Sequence, residues 1–194
     1  MEKSNRLNAK DLINVGIYTA ICAVICCAVA MTGVIPIMMV LLVVFVPILT
    51  GIPYMLFLTK VKKFGMILIL NILMGILMWV TGMSFYALAV GMVSGLIAEL
   101  IYRSGNYQSK WRGILAYAIS GIYCWANYFG IFFNADAYFA TRQKFGQDYI
   151  DAVTRMLPPW MCPVLLAVDI ACGIIGGFIG TKVLKKHFEK AGIA

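Results

Sequence analysis

Apolar positions run along this chain in long blocks, separated by short polar, charged or proline-glycine stretches. Six blocks are near the length a tilted helix needs to cross a bilayer, about 20 residues. They cover roughly Leu12 to Thr32, Val34 to Leu58, Phe64 to Val80, Ser84 to Tyr102, Gly113 to Phe133 and Trp160 to Lys182. The predicted fold class is all-α: a single transmembrane domain over residues 1–194, built as an integral membrane six-helix bundle. No gap is wide enough for a soluble domain. The first block is too long, and too closely followed by others, to be a removable signal peptide. Between the fifth and sixth blocks, Ala140 to Met156 carries Phe145, Tyr149, Ala152 or Val153, and Met156 at helical spacing. Arg142, Lys144, Asp148, Asp151 and Arg155 occupy its other faces, which predicts a short amphipathic helix on the outer surface. Such a helix either closes over a bound ligand or rests in the headgroups.

Small residues add a second pattern. Gly16, Ala20, Ala23, Cys27 and Ala30 recur at steps of four, three, four and three, forming one smooth stripe along the first helix. Small residues let another helix approach closely, which is how helices associate in lipid. The stripe therefore serves either a separate membrane subunit or packing within the bundle. Gly91, Gly95 and Ala98 make a second small face, and Gly173, Gly176, Gly177 and Gly180 a third. In the second block Pro36, Pro47 and Pro53, with Gly51, predict a helix kinked or broken part-way, with a cavity beside Pro47 and Pro53 as one consequence. Interrupted helices line binding sites in transporters, but proline is also common in plain membrane helices.

Composition and charge fix the class and orientation. The chain is 62% hydrophobic, as an integral membrane protein is. Lys3, Arg6 and Lys10; Lys60, Lys62 and Lys63; Arg103, Lys110 and Arg112; and Lys182, Lys185, Lys186 and Lys190 all fall on one side of a six-span topology. Only Arg142, Lys144 and Arg155 fall on the other. By the positive-inside rule both termini of this multi-pass protein are cytoplasmic. The net charge of +8 is a topology signal and gives no case for nucleic-acid binding.

Candidate chemistry is concentrated in the later spans. The fifth block changes character through Tyr123, Cys124, Trp125, Asn127 and Tyr128, then Phe132, Phe133, Asn134, Asp136 and Tyr138. Rings interleaved with amide and carboxyl groups suit an amphipathic small-molecule site, or else an interfacial aromatic belt. Asn127 favours a site, since an amide below the interface needs a partner. Asp169, in the middle of the last block, is a functional-site hypothesis by default, with Asn71, Asn127 or ligand as its partner, or a structural hydrogen bond to neighbouring helices instead. Glu99 and Arg103, four apart, predict an intrahelical ion pair at the cytoplasmic end. Trp79 reads as an interface anchor, and Pro158-Pro159-Trp160 as a rigid lead into the last span. The candidate substrate-binding set is Asn71, Trp79, Tyr123, Asn127, Tyr128, Asp136, Trp160 and Asp169. The candidate partner-docking set is Gly16, Ala20, Ala23 and Cys27.

Several chemistries are disfavoured. The six cysteines, Cys22, Cys26, Cys27, Cys124, Cys162 and Cys172, show no metal-cage spacing, and the single histidine, His187, lies in the basic tail. No metal and no cofactor is expected. Walker A, His-Glu-x-x-His and Gly-x-Ser-x-Gly runs do not occur, so neither ATP use by a P-loop nor these enzyme chemistries fit the chain.

With its six spans, small-residue first helix and polar-aromatic outer ends, the chain resembles the S components of energy-coupling factor (ECF) transporters. Within that group the opening Lys10 to Ile21, KDLINVGIYTAI, resembles the Trep_Strep family. Gly16 to Ala20 has the spacing of the group's Ala-x-x-x-Ala pattern, with glycine first. The resemblance implies a binding protein of the prokaryotic plasma membrane, not an enzyme, that captures a scarce vitamin-like nutrient from outside, and the aromatic outer segment suggests a flat, partly apolar ligand. It also implies docking, through the first three helices, on a transmembrane coupling subunit driven by two ABC ATPase subunits. A tetrapyrrole is one possible ligand. The rival readings are a stand-alone secondary transporter and, more weakly, a lipid-processing enzyme using Asp136, Asp148 and Asp151.

Overall fold

A computed structural model of the protein describes residues 7–140 and 145–188. Lys3, Arg6, Arg142, Lys144 and Lys190, used above to orient the chain, lie outside the described residues. Every regular element among the described residues is helical. In chain order these are α1 (Ala9–Ala30), α2 (Pro36–Lys60), α3 (Met66–Val80), α4 (Phe85–Arg103), α5 (Lys110–Ser120), α6 (Tyr123–Ala126, a single turn), α7 (Phe129–Ala140), α8 (Gln147–Met156) and α9 (Met161–Val183). A 3₁₀ turn, Met31–Val34, extends α1, and a π turn, Leu184–Phe188, extends α9.

Five stretches are long and apolar enough to cross a membrane: Ala9–Val34, Pro36–Lys60, Phe85–Arg103, Lys110–Ala140 and Met161–Lys186. The helix α3 is equally apolar but has 15 residues, so it rises about 22 Å against a hydrocarbon core of about 30 Å.

Local chemistry explains where the helices begin. Asn8 Oδ1 accepts from the Asp11 amide and Asp11 Oδ2 accepts from the Asn8 amide, both at 2.9 Å, a capping box that starts α1. Asp11 also pairs with Lys63 Nζ at 2.7 Å, tying the start of α1 to the turn before α3. Ser84 caps α4 by accepting from the Tyr86 amide at 3.2 Å. The left-handed Gly82 (φ +80°) makes the tight turn before it.

Two expectations need correction here. Glu99 is fully buried and makes no ion pair with Arg103 among the described residues. Its Oε2 accepts from the amides of Ile67 (2.8 Å) and Leu68 (3.3 Å), and its Oε1 accepts from the Tyr107 hydroxyl at 3.2 Å. The carboxylate thus caps first-turn amides of α3 that have no partner within the helix, where the helix dipole favours negative charge. Arg103 lies over the Phe64 ring instead, 5.3 Å from its centroid.

The second correction concerns the break expected in α2, which runs as one helix through Pro47 and Pro53. Proline inside a helix removes one ladder bond, and in membrane helices neighbours supply replacement contacts. Here Pro47 lies against the glycine face of α9. A Cβ added to Gly176 would stand 2.2 Å from the Pro47 carbonyl oxygen, and one added to Gly180 would stand 2.4 Å from that of Gly51. The Tyr117 hydroxyl donates to the same Pro47 carbonyl and lies 2.8 Å from Thr50 Oγ1. The void beside Pro47 measures only about 10 Å³.

Buried apolar residues form two clusters. The larger, including Phe57, Met66, Ile67, Leu70 and Met74, fills the middle and the end carrying Lys60, Lys62 and Lys63, the basic end. The smaller holds Val43, Tyr128, Ile131, Phe139, Val153, Leu157 and Leu165 at the opposite, aromatic end. The predicted amphipathic helix is present as α8, and its Val153 is fully buried, so α8 packs on the bundle.

Candidate functional site

The predicted fifth span, Gly113 to Phe133, is not one helix. It divides into α5, α6 and α7, with turns at Gly121 and around Asn127. Through this region backbone bonds shorten to i+3 spacing: the Cys124 amide donates to Gly121 O at 2.9 Å, Asn127 to Cys124 O at 3.3 Å, and Tyr128 to Trp125 O at 3.0 Å. In a continuous α-helix the Ser120 carbonyl would accept from the Cys124 amide. With that amide turned to Gly121, Asn71 Nδ2 supplies the missing donor to Ser120 O at 3.2 Å. Asn71 Nδ2 also donates to Gly91 O at 3.2 Å, and Asn71 Oδ1 accepts from Ser120 Oγ at 2.7 Å. Ser120 Oγ accepts in turn from the Tyr54 hydroxyl at 2.7 Å. Asn71 is fully buried and supports the break from behind; it does not reach the cavity described next.

On the aromatic side of the break lies a cavity of about 190 Å³. α1 contributes Cys26 and Ala30, the following turn Gly33, and α2 Met39, Leu42 and Val46. Met78, Thr81 and Met83 come from the end of α3 and its turn, and Cys124, Asn127 and Tyr128 from the broken segment. Tyr138, Phe139, Phe145 and Tyr149 complete the wall from α7 and the approach to α8. Phe145 and Tyr149 are stacked, with centroids 4.3 Å apart and planes at 18°, and the Tyr149 hydroxyl donates to the Gly33 carbonyl. The α8 segment is thereby fastened to the turn after α1.

Within this mostly apolar wall one group is under-satisfied. Asn127 Nδ2 points at two thioethers, Met78 Sδ at 3.3 Å and Met83 Sδ at 3.1 Å, which are weak acceptors. Asn127 Oδ1 is buried and has no hydrogen-bond partner. An unmatched buried acceptor costs roughly 1–3 kcal/mol, which a donor group on a bound molecule would recover. The Tyr128 hydroxyl is already engaged, donating to Met39 O at 2.7 Å. The cavity can thus seat a small apolar or aromatic body and accept one hydrogen bond from it. Its volume is below the ~300–1,000 Å³ usual for drug-sized ligands, which leaves no room for a tetrapyrrole in this conformation.

Of the candidate substrate-binding residues, the fold brings Asn127 and Tyr128 to this cavity and not the others. Tyr123 is buried one turn deeper, beside the small void next to Pro47. Trp79 is 54% exposed, edge-on to Phe85 at 5.8 Å. Trp160 is 66% exposed, and Asp136 is exposed on α7. Asp169 is buried, and neither carboxyl oxygen has a hydrogen-bond partner; Asn71 and Asn127, its expected partners, bond elsewhere. Sequence reasoning passed over Cys26, Met39, Met78 and Met83, whose types are ordinary filling in any membrane helix. Phe145 and Tyr149 were visible as a helical stripe, but not their place in the cavity wall.

The docking candidates fall on the outer surface. Gly16, Ala20 and Cys27 are exposed and Ala23 is half-buried. A Cβ at Gly16 would meet nothing within 4 Å. The other glycine faces are engaged internally: Gly95 against Asn71, Gly173 against Ala118, Gly177 against Ile114. Of the readings offered for the α1 stripe, packing within this bundle is not what the fold does with Gly16, Ala20 and Cys27.

Residues 9–190 match the sequence model of a family described as "Hypothetical bacterial integral membrane protein (Trep_Strep)". No curated protein and no solved structure matches the chain.

Proposed function

The chain belongs to the Trep_Strep family of bacterial integral membrane proteins, and from that premise we propose that it is the substrate-capturing S component of an ECF-type importer. In this reading it is a multi-pass protein of the plasma membrane with six crossings, α3 being the short one, and with its basic end and both termini in the cytoplasm. It is a binding protein and not an enzyme. A small, partly apolar micronutrient settles at the outward, aromatic end beneath α8, which acts as a lid. Energy comes from a transmembrane coupling subunit and two ABC ATPase subunits that grip the α1 side.

The observation that carries the proposal is the cavity at the aromatic end, walled by rings and thioethers around the unmatched Asn127 Oδ1. The smooth, unoccupied α1 face supports it from the other side, since lipid alone does not call for a row of small residues. The test is gentle purification from the native membrane followed by native mass spectrometry. A coupling subunit and two ATPases should co-purify, together with a bound small molecule. Gly16→Leu should fold normally, because the space around Gly16 is open, yet lose those subunits while retaining the small molecule. Solute uptake by the polypeptide reconstituted alone, with no ATP-hydrolysing partner, would refute the proposal.

A further inference from the structure

A further void of about 60 Å³ lies between α1 and α3, and it shares Cys26, Met78, Thr81 and Met83 with the wall of the main cavity. Its outer residues, Cys27 and Leu77, lie on the surface of the bundle, Leu77 at 41% exposure. The only oxygen among its side chains is the Thr81 hydroxyl, and that donates to the carbonyls of Leu77 (2.8 Å) and Met78 (3.0 Å). The seam is therefore apolar from the lipid-facing surface inward, until it meets Asn127 behind Met78 and Met83. Those two methionines stand between the voids, and unbranched thioether side chains with three rotatable bonds are easily re-set.

We infer that the α1–α3 seam is a lateral portal, and that the ligand is amphipathic: a hydrogen-bond-donating head at Asn127 Oδ1 and an aliphatic portion running out between α1 and α3 toward lipid. This rests on the reading of the main cavity as the ligand site and adds the class of molecule it takes. Three features point the same way. The buried acceptor lacks a donor, the partition is made of movable side chains, and a cavity of about 190 Å³ is small for a nutrient confined within it. The portal also shares Ala23 and Cys27 with the docking stripe, so a helix seated on α1 covers the seam while it grips.

The test uses the full chain in lipid nanodiscs and a straight-chain fatty primary amide with a mid-chain diazirine, whose amide supplies the donor. After photolysis, adducts are mapped by peptide mass spectrometry with and without excess unlabelled amide. Competable adducts are expected on Ala23, Cys27 and Leu77. Asn127→Leu and, independently, Leu77→Trp or Cys27→Trp should each reduce them at least fivefold. Ile76→Trp, on the same helix but outside the seam, should leave them unchanged. Labelling that excess amide does not compete would mean that ordinary acyl chains occupy the seam, and would overturn the inference. Competable adducts on Met39 and Tyr128 that survive both tryptophan plugs would overturn the portal and leave the cavity as the ligand site. Loss of competition at the cavity and the seam alike, with Asn127→Leu indistinguishable from wild type, would overturn the site as well.

Discussion

The same substitution, glycine to alanine, should have opposite signs at two places. At Gly176 the new Cβ stands 2.2 Å from the Pro47 carbonyl oxygen and 3.0 Å from the Ile48 Cα. Both atoms are backbone, so no rotamer change relieves the clash, and α2 and α9 must separate by roughly 1 Å. Overpacking of this kind costs about 1–3 kcal/mol. Moving α2 also weakens the Tyr117 hydroxyl bond to Pro47, worth about 1 kcal/mol. The better helix propensity of alanine returns about 0.5–1 kcal/mol, leaving a net loss of about 1–3 kcal/mol. At Gly16 nothing lies within 4 Å, so only the propensity gain of about 0.5–1 kcal/mol remains. Reversible unfolding by sodium dodecyl sulfate in mixed micelles, followed by tryptophan fluorescence, measures both. Gly176→Ala at or above wild-type stability would refute the close α2–α9 crossing, and a loss at Gly16→Ala would refute the open α1 face.

Substitutions at three further positions separate structural polar groups from the rest. Asn71→Ala should cost roughly 2–5 kcal/mol in the same titration, because it strips donors from the Ser120 and Gly91 carbonyls together; wild-type stability would contradict its supporting role. Glu99→Ala should expose the Ile67 and Leu68 amides to faster hydrogen exchange and cost about 1–2 kcal/mol, with Glu99→Gln losing less because one acceptor oxygen remains. Unchanged protection at those amides in Glu99→Ala would count against the cap. Asp169→Leu should be as stable as wild type or more so, since no hydrogen bond is lost with the carboxyl group. A loss of about 3–5 kcal/mol would reveal a buried partner instead.

The helix boundaries were largely legible in the hydrophobic blocks because lipid imposes a length and a composition that few other environments do. α9 was expected from Trp160 to Lys182 and spans Met161–Val183, and α4 was expected from Ser84 to Tyr102 and spans Phe85–Arg103. The interruption was misplaced, and for a physical reason. Proline is the loudest helix-breaking signal in a sequence, yet α2 runs unbroken through two prolines, one of which, Pro47, packs against Gly176 of α9. The fifth segment breaks at Gly121, where tolerance depends on Asn71 lying 49 or 50 positions earlier in the chain. That coupling cannot be read from local pattern. Asn127 was identified because an intramembrane amide is rare enough to stand out, whereas Met78 and Met83 look like any apolar filling until the fold sets them beside it.

The position of the cavity follows from where α3 runs out. Glu99 fixes the beginning of α3 at the basic end through the Ile67 and Leu68 amides. With 15 residues the helix rises about 22 Å and ends at Val80, at the aromatic end. There the chain turns through Thr81, Gly82 and Met83, whose amides donate to Leu77, Trp79 and Met78 at 3.0, 3.0 and 2.9 Å. Non-helical backbone at membrane depth persists only where it is buried or lines a cavity. The broken α5–α7 segment meets the same condition across the same void, its freed Ser120 carbonyl held by Asn71. Two irregular stretches, one from a short helix and one from an interrupted helix, thus face each other around Asn127. Met78, Thr81 and Met83 all line that space, so the end of α3 and the turn after it form one wall of the cavity and the broken segment the other.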